Sequence, residues 1–195
     1  GAPGCEYAGV ITKVGSGVTR FHVGDEVVGV GDGCLKEVIR VPELMLHHKP
    51  ECLSMVEAST IPIVYSTVEL GLGGLAKLQA GETVLIHAAA GGVGLAAIQY
   101  AQRVGATVIA TASEGKHEYL RSLGIELLTT SRDATQFLRD VTDIMGRHGS
   151  VDVVLNSLSA DYIKYSLDML SPNGRFVEIG KRGIWSEAEV YAHRP

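Results

Sequence analysis

The segment Ala88-Ala89-Ala90-Gly91-Gly92-Val93-Gly94 has the residue types and spacing that point most directly to chemistry. It lies between a short apolar run, Thr83 to His87, and a stretch with helical spacing, Leu95 to Val104. Residues without a Cβ let backbone approach a diphosphate, and N–H groups at a helix start have no intrahelical acceptor and point toward an anion. Glycines in such turns also serve tight packing. Here a strand precedes, a helix follows, and a second strand ends about 20 residues on, the context in which such a loop holds a dinucleotide. Ala90, Gly91, Gly92, Val93 and Gly94 are therefore read as the diphosphate cradle.

The end of that second strand decides between NAD and NADP, because an acidic side chain there grips the adenosine ribose and repels a 2′-phosphate. Ser113 occupies the position, followed by Glu114, Gly115 and Lys116. A hydroxyl and an ammonium suit a phosphate, which favours NADP. Glu114 argues the other way, since one residue of register would place a carboxylate on the ribose, and Ser113 also fits as a helix cap. Arg132, after the third strand, is a further candidate for the adenosine end. Asn156 and Ser157 close a fourth apolar strand, at the carboxyl edge where open α/β sheets place ligand contacts. His87 precedes the loop and is read as a hydrogen-bonding residue, not a catalyst.

These residues need a scaffold. From Gly81 the pattern alternates: strands at Thr83–His87, Thr107–Ala112, Leu127–Thr130, Val151–Asn156 and Arg175–Ile179, with helices at Leu95–Val104, Lys116–Leu123, Thr135–Met145 and Tyr162–Leu170 between them. Right-handed crossovers make this an α/β, doubly wound parallel sheet. The first fifty residues read instead as β-rich, with strands in Tyr7–Val14, Glu26–Val30 and Leu35–Val41 and turn chemistry at Gly15-Ser16-Gly17 and Gly24-Asp25. Ser54 and Glu57 form a capping box for a helix from Met55, which Pro62 should end or kink. A second helix is expected from about Ser66 to Leu78 despite Gly71, Gly73 and Gly74. The expected division is residues 1–50 and 51–195.

With 195 residues, 46% of them hydrophobic, the chain can build a real core. A net charge of −5 with dispersed Lys and Arg offers no footprint for nucleic acid. The most apolar stretch, Val84 to Ile98, is shorter than a bilayer-spanning helix and is broken by His87 and glycines, so no membrane partner is expected. Cys5, Cys34 and Cys52 are odd in number and dispersed, which argues against a disulfide framework and for a reducing cytoplasm. Neither a starting Met nor a signal peptide is visible, and the sequence reads as a piece of something longer. His47-His48 is expected to be a polar linker pair, and Tyr7, Tyr100, Tyr162 and Tyr165 to be packing residues.

Leu85-Ile-His-Ala-Ala-Ala-Gly-Gly-Val-Gly94, Ala110-Thr-Ala-Ser-Glu-Gly-Lys116, Val151-Asp-Val-Val-Leu-Asn-Ser-Leu158 and Gly174-Arg-Phe-Val-Glu-Ile-Gly-Lys181 resemble the enoyl reductase domains of polyketide synthases, in the medium-chain dehydrogenase/reductase superfamily. Gly4 to Gly9 and Val23 to Val27 resemble the trailing part of that superfamily's GroES-like substrate domain. The resemblance implies a partial GroES-like segment before a Rossmann domain. It implies NADPH-dependent reduction of an enoyl thioester on an acyl carrier protein, beside neighbouring synthase domains, and it leaves room for a homodimer. Lys181 would then stabilise the enolate oxygen or protonate the α-carbon. Thr67 would approach the nicotinamide, Gly180 would bring backbone to its carboxamide, and Tyr65 would line the substrate pocket. Zinc is not expected: the family's metal motif would fall at Gly4-Cys5-Glu6, where cysteine replaces histidine, and Cys5 is read as a small buried side chain. The alternatives are a free-standing quinone or alkenal reductase and a cofactor-binding module without turnover.

Overall fold

The computed structural model describes residues 1–194, which divide into two compact units, Gly1–Thr67 and a second from Val68 onward. In the first unit, β1 (Glu6–Val10), β2 (Glu26–Val30) and β3 (Leu46–His48) form an antiparallel sheet in that order. The chain reverses between β1 and β2 through Gly24 at φ 99°, whose N–H bonds Ile11 O at 2.8 Å. The third strand is not the expected Leu35–Val41. Leu35 and Val38 are 76% and 69% exposed, so that run has β-type residues but no sheet to bury them against. His47 and His48 pair instead with Val28 and Val27, as members of a strand and not of a linker.

Ser54 and Glu57 make both bonds of the capping box and start α1 (Met55–Ala58). Pro62 opens α2 (Pro62–Val68), at the first helical position, where its missing N–H has no cost. The Ile63 N–H beside it donates to Glu6 Oε2 at 2.9 Å. The helix expected to Leu78 changes at Glu69 into a π-helical turn, Glu69–Leu75. Glycines permit this packing: a Cβ on Gly71 would lie 3.3 Å from Val177 Cγ1, and one on Gly73 would lie 2.9 Å from the Tyr100 hydroxyl.

The second unit is a five-stranded parallel sheet with helices between its strands. Its elements are β4 (Thr83–Ile86), α3 (Gly92–Val104), β5 (Thr107–Ala112), α4 (His117–Ser122), β6 (Leu127–Thr130), α5 (Ala134–His148), β7 (Val151–Asn156), α6 (Asp161–Asp168), β8 (Leu170–Glu178) and α7 (Glu187–His193). The order β6-β5-β4-β7-β8 reverses direction between β4 and β7, the doubly wound arrangement expected. The side chains of β4 are buried throughout, as a strand covered on both faces requires. Leu85, Ile109 and Val154 pack with Phe137 and Val141 of α5 and Ile163 and Leu167 of α6. Strand β8 begins five residues earlier than its apolar run, with a register shift opposite Val151/Val153 that accommodates Pro172. No helix among the described residues is long and apolar enough to cross a membrane.

Candidate functional site

The switch between β4 and β7 is where an open parallel sheet leaves a crevice at its carboxyl edge, and the glycine loop sits there. His87 extends the pairing by one bond, its N–H donating to Leu155 O at 3.1 Å. Ala88 then adopts φ 49°, a left-handed conformation that costs a non-glycine residue about 1 kcal/mol. Thr111 on β5 holds it there: Thr111 Oγ1 accepts from Ala88 N–H at 3.0 Å, and Thr111 O accepts from Ala89 N–H at 2.8 Å. The Gly91 N–H closes the turn on Ala88 O at 2.9 Å, and α3 begins at once.

This geometry uses some amides and leaves others. Gly91 O accepts from Leu95 N–H, while the N–H groups of Gly92, Val93 and Gly94 have no acceptor among the described residues. Gly91 caps α3 without a side-chain bond. Three converging amides at the positive end of a thirteen-residue helix, under no side chain, fit a diphosphate. Gly94 fits a second requirement. A Cβ there would lie 2.5 Å from Ala89 Cα and O and 2.6 Å from Ala88 O, so only glycine lets α3 start this close to the loop that follows β4.

The neighbouring strand ends bring the other expected residues to the same edge. Ser113 follows β5 and opens a 3₁₀ turn, Glu114–Lys116, but its hydroxyl makes no capping bond. Lys116 and Glu114 are exposed. Arg132 follows β6, exposed, with its backbone N–H on Thr130 Oγ1 at 3.1 Å. Ser157 follows β7, and its hydroxyl donates to His87 O at 3.4 Å. Gly180 and the exposed Lys181 follow β8.

Asn156 stands at the expected strand end, but its side chain is fully buried and turned inward. Nδ2 donates to Leu158 O at 2.8 Å and to Glu178 Oε2 at 2.7 Å, while Oδ1 accepts from Leu158 N–H at 3.2 Å. A cofactor contact through that amide does not fit this geometry, because its donors are taken by protein. Thr67 and Tyr65 lie on α2 in the first unit, and the Thr67 hydroxyl donates to Ile63 O at 2.7 Å. Cys5 is exposed, which corrects the expectation of a buried side chain: strand β1 begins only at the next residue. Among the described residues no group of three or more His, Cys, Asp or Glu is placed to hold a metal ion.

Sequence reasoning missed two residues that shape this edge, Thr111 and Glu178. Thr111 is a hydroxyl in the apolar run Val108 to Ala112, a signal visible in the sequence. Glu178 accepts from Asn156 Nδ2 and, through Oε1, from Gly180 N–H at 2.6 Å. That role depends on the parallel register pairing Asn156 with Glu178, which no local pattern reveals.

The family model for the alcohol dehydrogenase GroES-like domain matches residues 1–51, and that for zinc-binding dehydrogenase matches residues 92–193. Erythronolide synthase EryA2 of Saccharopolyspora erythraea is 45% identical over 183 residues, which cover 93% of this chain and 5% of that protein. Among solved structures, the CurK enoyl reductase is 49% identical with a TM-score of 0.94, covering 100% of this chain and 58% of that one. The CurF ER cyclopropanase from the curacin A biosynthetic pathway is 42% identical with a TM-score of 0.88, covering 98% and 57%. The mycobacterial Rv1454c complexed with NADPH is 28% identical with a TM-score of 0.86, covering 97% and 61%. The chain thus spans little more than half of the solved reductases it matches and a small fraction of the synthase.

Proposed function

The chain belongs to the polyketide synthase enoyl reductases of the medium-chain dehydrogenase/reductase superfamily, and on that premise we propose that it binds NADPH and serves reduction of an α,β-unsaturated thioester borne on an acyl carrier protein. The observation that carries this reading is the set of unpaired Gly92, Val93 and Gly94 amides at the sheet's switch point. The bound cofactor supplies a hydride to the β-carbon. The chain's own residues do the rest. The loop amides hold the diphosphate, and Ser113, Lys116 and Arg132 take the adenosine end, where a 2′-phosphate meets a hydroxyl and cationic groups. Ser157 and the backbone at Gly180 border the nicotinamide end. The Lys181 ammonium, exposed and held by no carboxylate among the described residues, holds the proton for the α-carbon or stabilises the enolate oxygen.

Two other reductive outcomes share the same hydride step. Quinone or alkenal reduction needs no carrier. Ring closure is the other, and it is included because the CurF cyclopropanase is 42% identical to this chain. The test is NADPH oxidation by the complete protein with a crotonyl-type thioester, beside a quinone at equal concentration, with product mass and connectivity determined. The saturated thioester is expected to dominate. A preference for quinone, or a cyclised product, would reverse the assignment.

A further inference from the structure

We propose that Asn156 and Glu178 form a buried positioning pair that sets the turn bearing Gly180 and Lys181, a role that rests on the reading of Lys181 just given. The two are register partners at the carboxyl ends of adjacent parallel strands. Their side chains meet at 2.7 Å, amide N–H to carboxylate. Each then controls the backbone that leaves its own strand: Asn156 holds Leu158 through both its N–H and its O, and Glu178 Oε1 holds the Gly180 N–H at 2.6 Å.

The pair is an unusual choice for stability alone. Glu178 is half-buried and makes no ion pair among the described residues, so its charge is balanced only by neutral N–H donors. Such a carboxylate costs desolvation, whereas an apolar pair at the same strand ends would not. What the carboxylate gives is direction. A charge-assisted bond to an amide two residues ahead leaves the chain one way to turn. The turn is also closed to side chains, since a Cβ on Gly180 would lie 2.7 Å from Glu178 Oε1. Lys181 is the next residue, and its long side chain inherits the direction that Gly180 is given. Neither member of the pair touches substrate. Both act through the Gly180 peptide.

The test uses the full-length protein and three variants. Glu178→Gln keeps the size but replaces one acceptor oxygen with a donor, so it cannot accept from both Asn156 and Gly180. Its kcat for enoyl thioester reduction is expected to fall on the order of ten- to a hundredfold, with NADPH affinity changed less than about threefold. The Gly180 amide proton, expected downfield in the wild type because it is bonded to a carboxylate, should move upfield. Asn156→Asp combined with Glu178→Gln reverses the polarity: the new glutamine amide would donate to the new aspartate, while its carbonyl oxygen still accepts from the Gly180 N–H. The aspartate keeps the Leu158 N–H but gives up the bond to Leu158 O. This exchange is expected to restore the Gly180 bond and a part of the kcat lost in Glu178→Gln. Gly180→Ala, whose methyl would meet Glu178 Oε1 at 2.7 Å and displace the carboxylate from the Gly180 N–H, is expected to lose kcat like Glu178→Gln. An unchanged Gly180 resonance and kcat in Glu178→Gln would overturn the pair's role. So would a double variant that regains thermal stability without kcat, which would mark the pair as structural only. A wild-type protein that reduces no thioester would instead refute the functional reading, while the Gly180 resonance would still report on the pair.

Discussion

His87 shows how a residue at the site's edge serves it without doing chemistry. Its Nε2 lies 2.8 Å from Ser166 Oγ and its Nδ1 lies 3.4 Å from Thr111 Oγ1. Thr111 Oγ1 also accepts from Ala88 N–H, and since each hydroxyl can donate or accept, both ring nitrogens of a neutral imidazole are served in either tautomer. The relay ends on the strained Ala88, so the imidazole helps to fix the loop's first turn. The ring packs against Phe137 and Tyr162, and burial pushes its pKa from the ordinary 6.5 down to about 3. An unfolded chain takes up a proton as pH falls through 6.5, and the folded one does not until about 3. Stability from this group is therefore complete above pH 6.5 and is lost as pH falls toward 3. Between about pH 7.5 and about pH 5 the loss is roughly 2 kcal/mol. His87→Phe should abolish that part of the acid sensitivity while lowering stability at about pH 7.5 by about 1–3 kcal/mol, through Ser166 and Thr111 left unpaired. Urea denaturation of both proteins at the two pH values checks this, and an equal pH dependence would refute the neutral relay.

At the scale of elements, the contact between the start of α3 and the loop after β4 is the most demanding in the site. Gly94→Ala would push a methyl to within 2.5 Å of backbone atoms that cannot rotate away. The helix start should lift from the loop, with a stability loss of about 1–3 kcal/mol and NADPH affinity weakened more than about tenfold. Gly146→Ala, on α5, meets nothing within 4 Å and serves as the neutral comparison. Calorimetric titration with NADPH measures both, and equal affinities would remove the close approach from the binding argument. The same elements show what a sequence makes legible. Strands β4 to β7 fall within one residue of their apolar runs, because a strand buried on both faces must be short and apolar. Leu35–Val41 has equally good strand residues and forms none, since its neighbours, not its composition, decide. The π-helical turn at Glu69–Leu75 was hidden for a related reason: Gly71 and Gly73 answer to Val177 and Tyr100, far along the chain. The loop amides followed from strand, glycines and helix in order. The partnership of Asn156 with Glu178 did not, because parallel register is a long-range property.

For the molecule as a whole, the division into two units localises what a dinucleotide can stabilise. The glycine loop, Ser113, Lys116, Arg132, Ser157 and Gly180 all belong to the second unit. A ligand that binds only the folded form adds RT ln(1 + [L]/Kd), about 2.7 kcal/mol at a hundredfold excess over Kd. NADPH at that excess should therefore raise the unfolding midpoint of the second unit and slow hydrogen exchange at Gly92 to Gly94. On the proposed reading the adenosine end sets the preference between cofactors. Lys116 is exposed and Ser113 Oγ caps nothing, so both are available to a 2′-phosphate that NADH lacks. NADH at equal concentration should stabilise less. Lys116→Glu, two residues from Glu114, should narrow or invert the difference by placing a second carboxylate where the phosphate would lie. Thermal unfolding of wild type and variant with each cofactor reads this directly. Equal stabilisation of the wild type by NADH and NADPH would mean that Glu114, not Lys116, governs the ribose, and the preference for the phosphorylated cofactor would fall.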